Sequence, residues 1–336
     1  MHYKRKRIIS IVLCLLMLAF FSGCSCNYGG EQLTQNKTKA YKGFSVHYLN
    51  VGQGDCIFIR LPDKKNILID TGDKDLYNKR AEYIIDYLRT YSVQTIDYFV
   101  ITHPDADHVG NAESIIDEFK VENAFVPHIA KIHIKNYPYF EKALTKLENQ
   151  GAVVQISEYF KYISTNQYFF TFLSPTNKDL KNSSYYHFNG MLIPDEKASN
   201  DLSPIIYLEA LGNRFLFTGD ASSDQEKLVL DNYKSSIYSA KFNRLGLNVN
   251  LEDIDYYKVG HHGADTSTCG EFLSITRPKN AIISVGGDNF YGHPKTATLE
   301  RLELYNHEYN LFRTDYHGTI VVHEQNNKLI VSTQLN

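Results

Sequence analysis

Tryptophan is absent from this 336-residue chain, and its five cysteines show no paired spacing. Neither a disulfide framework nor a cysteine-rich metal site is therefore indicated. After residue 21 no apolar run is long enough to form a membrane channel, so none is expected in the rest of the chain. Tyrosine and phenylalanine are abundant instead, with 25 and 19 residues, and both are typical of β-sheets.

The first 23 residues have the pattern of a bacterial lipoprotein signal peptide. A basic segment, Lys4–Arg7, precedes an apolar run, Ile8–Phe21, that is short for a membrane span. The following Ser22-Gly23-Cys24 resembles a lipobox, in which small residues precede the cysteine that is lipidated. We therefore expect cleavage after residue 23, a lipid on Cys24 and an extracytoplasmic, membrane-anchored protein. An uncleaved anchor or an ordinary signal peptide is the alternative.

Residues 24–42 are polar and predict a flexible tether, so the folded domain is expected to comprise residues 43–336. The whole chain has a formal charge of −3, and removal of residues 1–23 takes away four positive charges and no negative ones. The mature chain would then carry about −7. This charge argues against a broad surface that grips nucleic acid non-specifically, although it leaves room for a local basic groove.

Short apolar runs broken by turn-forming residues predict many β-strands. The first three runs, Phe44–Val51, Cys56–Leu61 and Asn66–Asp70, predict an antiparallel meander. Helical spacing follows in three segments: Arg80–Tyr91, Val109–Phe119 and Tyr137–Gln150. The overall pattern favours two sheets packed face to face and flanked by helices over a regular parallel sheet. Pro175–Ser203, which contains Tyr185–Phe188, lacks periodicity and predicts a long loop.

One segment concentrates potential metal ligands. Thr102–His108 reads Thr-His-Pro-Asp-Ala-Asp-His and follows the apolar run Asp97–Ile101, so a strand is expected to end where four ligands begin. Imidazole and carboxylate are the groups that hold Zn²⁺ or Mn²⁺. A solvated polar turn is the alternative, but it does not account for this density. Other strand ends place an acid or a histidine beside glycine, where side chains converge at one sheet edge: Asp70, Asp220, His261 and His262.

These motifs together resemble the metallo-β-lactamase superfamily and, within it, the soluble nuclease-like domain of the ComEC competence proteins. The matching segments run in order through the domain: Asn50–Asp55, Ile69–Gly72, His103–Asn111, Thr218–Asp220, Val259–Gly263, Tyr291–Pro294 and Arg313–Asp315. The resemblance implies an α/β (α+β) fold, the αββα sandwich. It also implies a site for two divalent ions, Zn or Mn, with a metal-bridging hydroxide as the nucleophile.

Carried over residue by residue, the resemblance assigns a role to each ligand. His103 and Asp105 would bind the first metal, Asp107 and His108 the second, and Asp220 would bridge the two. Asp70 would orient ligands from behind, as metal sites generally require. The second site would be completed by His261, with His262 as the alternative ligand.

Three further residues receive expected roles toward the substrate. If His262 is not a ligand, it would meet a phosphate oxygen. His293 lies between glycine and proline at a helix start, where it could bind an anion or protonate a leaving group, and a surface histidine that caps the helix is its alternative. Asn200 and Ser203 belong to a polar segment that resembles one in ComEC proteins. That segment lies near the position of the usual third histidine of the first metal, which has no clear counterpart here. Asn200 and Ser203 are expected to contact the substrate.

The sequence departs from the general superfamily at the first metal. Asp105 stands where the superfamily has histidine, and the usual third histidine has no clear counterpart. The first site is therefore expected to be weak or to fill only with substrate. Ligation rich in oxygen shifts the metal preference toward Mn²⁺.

The expected function is extracellular hydrolysis of phosphodiesters, in nucleic acid or in small or cell-wall phosphodiesters like those cut by surface phosphorylcholine esterases. Lactone or β-lactam hydrolysis is the second chemistry, and a non-catalytic metal-binding lipoprotein is the alternative from another class. No obligate protein partner is indicated.

Overall fold

The computed structural model describes residues 40–129, 135, 137–175, 199–305 and 307–335. Within these ranges the strands form one sheet of eight and one of seven. Their bounds are β1 Ser45–Tyr48, β2 Ile57–Arg60, β3 Asn66–Ile69, β4 Thr95–Val100, β5 Lys120–Val126, β6 Val153–Ile156, β7 Tyr162–Ser164, β8 Tyr168–Phe172, β9 Ile206–Ala210, β10 Asn213–Phe217, β11 Tyr256–Lys258, β12 Asn280–Ile283, β13 Asn310–Arg313, β14 Ile320–Gln325 and β15 Lys328–Thr333.

Each sheet is antiparallel in one half and parallel in the other. The first sheet has the order β15-β14-β1-β2-β3-β4-β5-β6, and the pairs β3–β4, β4–β5 and β5–β6 are parallel. The second has the order β13-β12-β11-β10-β9-β8-β7, with β10 through β13 parallel. The predicted meander of the first three strands is observed. The parallel halves were not anticipated, and they bring the carboxyl ends of neighbouring strands to one edge, where ligands bind in such sheets.

Helices and short turns connect the strands. The helices in the described ranges are α1 Lys79–Thr90, α2 Ala106–Val109, α3 Ala112–Glu118, α4 Pro138–Gln150, α5 Ser223–Lys234, α6 Ile237–Phe242, α7 Gly270–Thr276, α8 Thr296–Tyr305 and α9 Thr314–His317, with 3₁₀ turns at Asn243–Leu245 and Gly260–Gly263. The helix predicted over Val109–Phe119 corresponds to α3, and a separate short helix, α2, precedes it. Since α2 begins at Ala106, Asp107 and His108 lie inside its only turn and are held by it.

Three buried clusters show the layering. Alternate side chains of a strand point to opposite faces of its sheet, so Leu68 packs under α1 and α3 whereas Ile67 and Ile69 pack between the sheets. In the second sheet, Phe215 joins the central cluster and Leu216 joins the cluster beneath α5 and α7. The chain therefore folds as helices, sheet, sheet and helices, which confirms the αββα sandwich.

Several predictions fall outside the described residues: the signal peptide 1–23, the lipidation site Cys24, most of the tether and the tyrosine-rich segment 185–188. They stay predictions, as does the start of the domain at residue 43. Among the helices that the structure describes, none combines the length and apolar character that crossing a bilayer requires.

Candidate metal centre

Two pairs of parallel strands, β3–β4 in the first sheet and β10–β11 in the second, deliver the candidate ligands to the same edge of the sandwich. Asp70 directly follows β3, the His103–His108 segment follows β4, Asp220 follows β10, and the His261-His262 pair follows β11. The loop before β2 closes the centre from one side, because Gly54 lies so near α2 that a Cβ at this position would come within 2.1 Å of the Asp107 carbonyl oxygen. Its φ of 122° also favours glycine.

Asp70 orients His108. The Nδ1 of His108 donates to Asp70 Oδ2 at 2.8 Å, and Asp70 is itself fixed by the Thr102 N–H at 2.8 Å and hydroxyl at 2.6 Å. With Nδ1 used in this way, the Nε2 lone pair of His108 faces the centre, 3.3 Å from Asp220 Oδ1. Burial lowers the pKa of His108, but the charges of Asp220, Asp70 and Asp107 outweigh burial and raise the pKa well above its ordinary value. A metal that binds Nε2 would therefore displace a proton from this nitrogen.

His262 has the same arrangement on the opposite side. Its Nδ1 donates to the Ser284 carbonyl at 2.8 Å, which leaves Nε2 directed at Asp107 Oδ2, 3.3 Å away, and at Asp220 Oδ2, 3.6 Å away. The Nε2 atoms of His108 and His262 are 3.3 Å apart. When both rings carry their proton on Nδ1, two lone pairs face each other at this distance, an arrangement that a cation between them stabilises.

His103 and Asp105 form the other side of the centre. The Nε2 of His103 is 3.7 Å from Asp105 Oδ2 and 3.8 Å from Asp220 Oδ2, while its Nδ1 lies 3.1 Å from the Ser203 hydroxyl. The Ser199 hydroxyl donates to Asp105 Oδ2 at 2.9 Å. Burial raises the pKa of Asp105 to about 6. Ser203 therefore lies behind His103 and also accepts the Asp220 N–H at 3.2 Å, so it positions the ligands rather than facing a substrate.

Buried atoms without hydrogen-bond partners test whether these residues fit a metal. Among the described residues, His103 Nε2, Asp220 Oδ1 and Asp55 Oδ1 are buried and unpartnered. Such atoms are costly unless a group that is not protein satisfies them. Sets of ligand atoms within 4.8 Å of one another are found in three groups: His103, Asp107 and His108; His108, Asp220 and His262; and Asp55, Asp70 and His108. The donor set and the unpartnered atoms fit divalent ions.

Asp220 is placed between the two groups of histidines. Its Oδ1 faces His108, while its Oδ2 lies 3.8 Å from His103 and 3.6 Å from His262. Burial raises the pKa of Asp220, but His108 and His262 outweigh it and hold the pKa well below the usual range. An ionised carboxylate whose two oxygens face different histidines has the geometry that bridging two ions requires.

The structure favours His262 over His261 as the ligand. His261 Nε2 is 3.6 Å from Asp220 Oδ2, but its Nδ1 lies 3.2 Å from the Thr266 hydroxyl and 3.5 Å from the Asn200 amide nitrogen, and the ring is partly exposed. His262 is buried and belongs to a ligand group, whereas His261 belongs to none of the three. Asn200 is thus a neighbour of His261 at the mouth of the centre.

His293 lies beyond His261, farther from the metal centre. Its ring centroid is 5.6 Å from that of His261, and the Tyr291 ring is parallel to it at 5.7 Å with an angle of 7°. Burial, followed by the charges of His261, His262 and Lys295, lowers the pKa of His293 to about 4. The imidazole is therefore neutral at neutral pH in this arrangement, and its role toward a substrate stays a prediction.

Sequence reasoning gave no role to two residues that the structure places beside the centre. Lys258 is fully buried, its Nζ lies 2.5 Å from Asp55 Oδ2, and it donates to the Gly219 carbonyl at 2.9 Å. The same ammonium is 3.9 Å from Asp220 Oδ1. Asp55 ends the Asn50–Asp55 motif and Lys258 directly precedes the Val259–Gly263 motif, but nothing in the sequence indicates that they pair across the two sheets.

The family model described as the metallo-beta-lactamase superfamily matches residues 49–287, and the chain belongs to that superfamily. Among individual proteins it is similar to ComE operon protein 3 of Bacillus subtilis, with 27% identity over 288 residues, which are 82% of this chain and 32% of that protein. It is also similar to Recombination protein 2 of Haemophilus influenzae, with 30% identity over 263 residues, 78% of this chain and 27% of that one. A third relative is Competence protein ComA of Neisseria gonorrhoeae, with 25% identity over 306 residues, 91% of this chain and 34% of that one. Together these matches confirm the resemblance to competence proteins. The chain spans about a third of the length of these relatives.

Among solved structures, the metallo-beta-lactamase fold protein YhfI from Bacillus subtilis aligns with a TM-score of 0.46 and 8% identity, covering 83% of this chain and 99% of that one.

Proposed function

We propose that the protein is a metal-dependent hydrolase of phosphodiesters that uses two divalent ions, with nucleic acid as its substrate. The observation that carries the proposal is the pair of facing imidazoles, His108 and His262, with Asp220 Oδ1 buried and unpartnered beside them. His103, Asp105 and Asp220 would hold one ion, and Asp107, His108, His262 and Asp220 the other. Two such ions, when bound, supply Lewis-acid stabilisation and an acidified water, which suits phosphoryl chemistry.

The protein itself orients the histidine ligands of this centre. Asp70 and the Ser284 carbonyl each hold one proton on Nδ1 of a histidine, so that both Nε2 atoms stay available as ligands. His293, neutral and at the outer side of His261, is placed to contact a leaving group. The names of the competence relatives support nucleic acid as the substrate. Any lysine or arginine side chains that contact the phosphates would make binding weaken with salt, whereas the acidic net charge of the chain opposes binding at low salt.

The N-terminal pattern supports a proposed location outside the cytoplasmic membrane, with a lipid on Cys24 as the link to the bilayer. A phosphodiesterase held there would meet extracellular nucleic acid or cell-wall phosphodiesters.

The test combines metal analysis with a substrate panel on the purified protein. DNA, RNA, bis-p-nitrophenyl phosphate, p-nitrophenyl phosphorylcholine and a lactam are incubated with Mn²⁺ or Zn²⁺. Metal-dependent cleavage of DNA or RNA that disappears in His103→Ala is the expected result. Cleavage of p-nitrophenyl phosphorylcholine without cleavage of nucleic acid would reassign the protein as a small-phosphodiester esterase, and inactivity on every phosphodiester would overturn the proposal.

A matched pair of variants tests the ligand assignment within the same experiment. His262→Ala should lose bound metal as well as activity, because it removes an Nε2 that faces both Asp107 and Asp220. His261→Ala should retain more metal, because the His261 ring also contacts the Thr266 hydroxyl and the Asn200 amide through Nδ1. Greater metal loss in His261→Ala than in His262→Ala would reverse the assignment.

A further inference from the structure

The loop that carries His293 also displays two aromatic side chains to solvent. It runs from Gly286 to His293 after β12, at the same sheet edge as the metal centre. Phe290 is fully exposed, and the Tyr291 side chain is 58% exposed. Single exposed apolar residues are common on protein surfaces, so what distinguishes this pair is its place on the loop that carries His293.

The loop is held in a defined shape. The amide nitrogen of Asn289 donates to the Gly286 carbonyl at 2.7 Å and to the His293 carbonyl at 2.9 Å, and its oxygen accepts the His293 N–H at 2.8 Å. A Cβ on Gly286 would lie 2.6 Å from the Gln53 nitrogen, so the base of the loop packs directly on the loop before β2. Phe290 and Tyr291 therefore project from a braced turn.

The rings continue outward from the metal centre. His261 lies 3.6 Å from Asp220, the His293 centroid is 5.6 Å from that of His261, and the Tyr291 ring is parallel to His293 at 5.7 Å. A substrate whose phosphate lies at the centre would thus extend past His293 toward the two exposed aromatic faces.

The charge beside these rings indicates which occupant they suit. The Lys295 ammonium donates to the Tyr291 carbonyl at 2.5 Å, so a positive charge stands beside the platform. That charge disfavours a cationic headgroup such as choline, which would otherwise bind aromatic rings well, and it attracts an anionic backbone. Asp288, exposed on the same loop, carries the opposite charge. Flat, neutral nucleobases attached to phosphates match this combination of a π face and a nearby cation.

We propose that Phe290 and Tyr291 form a stacking platform for an unpaired base of a nucleic acid strand whose phosphodiester lies at the metal centre. The inference rests on the proposed phosphodiesterase function and narrows its substrate to strands with unpaired bases. Bases inside a duplex have both faces covered, so only a single strand, a loop or a frayed end offers a face to the platform.

The test compares Phe290→Ala with two conservative variants and a matched control. Phe290→Trp retains a π face, Phe290→Leu retains apolar area without one, and Leu304→Ala truncates another exposed apolar residue, 65% accessible, at the far end of α8. Each is assayed on a single-stranded oligodeoxynucleotide, on the same strand with abasic sites, and on bis-p-nitrophenyl phosphate. Binding of both strands to chelator-treated protein at low salt is measured in parallel.

The expected result is a fall in kcat/KM on the base-bearing strand of about fivefold to 150-fold in Phe290→Ala, the range that removal of a base–aromatic stack produces. Phe290→Trp should retain activity and Phe290→Leu should not, while Leu304→Ala and the rate on bis-p-nitrophenyl phosphate stay unchanged. Equal losses on base-bearing and abasic strands would overturn the platform, as would an equal loss on bis-p-nitrophenyl phosphate.

The binding measurement distinguishes failure of the proposed phosphodiesterase function from failure of the stacking platform. If no phosphodiester is cleaved, the proposed function fails, and the platform is then judged by whether the preference for base-bearing over abasic strands disappears in Phe290→Ala. If cleavage occurs and that preference is absent from the unaltered protein, the platform fails and the function stands.

Discussion

Substitution of Lys258 tests how much the buried Lys258–Asp55 ion pair contributes to the free energy of unfolding. Its fully buried ammonium lies 2.5 Å from Asp55 and donates to the Gly219 carbonyl, whose residue precedes Asp220. Lys258→Met keeps much of the side-chain volume but leaves the Asp55 carboxylate buried without its cation. Removing one partner of a buried ion pair costs about 3–5 kcal/mol. We therefore expect the free energy of unfolding to fall by about 4 kcal/mol.

Urea unfolding in the presence of a chelator measures this loss without any contribution from bound metal. Two variants define its origin. Lys279→Met removes an ion pair with Asp255 at 2.7 Å in which the lysine side chain is 60% exposed, and such surface pairs contribute at most about 1 kcal/mol. Asp55→Leu combined with Lys258→Met should recover most of the loss, since apolar pairs often replace buried ion pairs without cost. A loss in Lys258→Met no larger than that in Lys279→Met would refute the reasoning.

Three other predictions address metal, pH and processing. Asp220→Ala should lose most bound metal and all hydrolysis, and elemental analysis that still finds two ions would contradict the bridging role. Burial, with smaller contributions from His323 and Arg60, lowers the pKa of His47 to about 3. The stability that its neutral ring contributes is therefore present above about pH 6.5 and lost as the pH falls toward 3, so His47→Gln should reduce the drop in unfolding free energy between about pH 7 and pH 5 by about 2 kcal/mol. Cys24→Ser should leave an unlipidated precursor by mass spectrometry; a processed, membrane-retained protein would contradict that assignment.

The parts of the fold that the sequence predicts are those carried by local patterns. The β1–β3 meander, α1 and α4 follow from alternation, helical spacing and turn residues. Gly151 directly follows α4 in the left-handed conformation, which glycine adopts readily at helix ends. β5 was missed, because Lys120–Val126 follows α3 without a turn signal. The parallel pairing of β3 through β6 was missed for a related reason, since pairing between distant strands leaves no local trace.

The candidate site divides in the same way. His103, Asp105, Asp107 and His108 are adjacent in sequence, so their convergence could be predicted from one segment. The choice between His261 and His262 could not, because both have a positive φ, 47° and 52°, in one tight turn. What favours His262 is the Ser284 carbonyl just after β12, which accepts the Nδ1 proton of His262 and has no such contact with His261 in the described residues.

The charge of the centre explains why a buried lysine and two divalent ions belong together. Asp55, Asp70, Asp105, Asp107 and Asp220 bring five carboxylates into one pocket, and Lys258 offsets one of them. Two divalent ions would offset the remaining four, whereas a single ion would leave two negative charges uncompensated beside the buried carboxylates of Asp55, Asp70 and Asp220. The missing histidine makes the first site poorer in ligands, but we propose that the uncompensated charge would still attract an ion there. Electrostatics thus favours filling both sites even though the ligand count alone predicts one strong and one weak site.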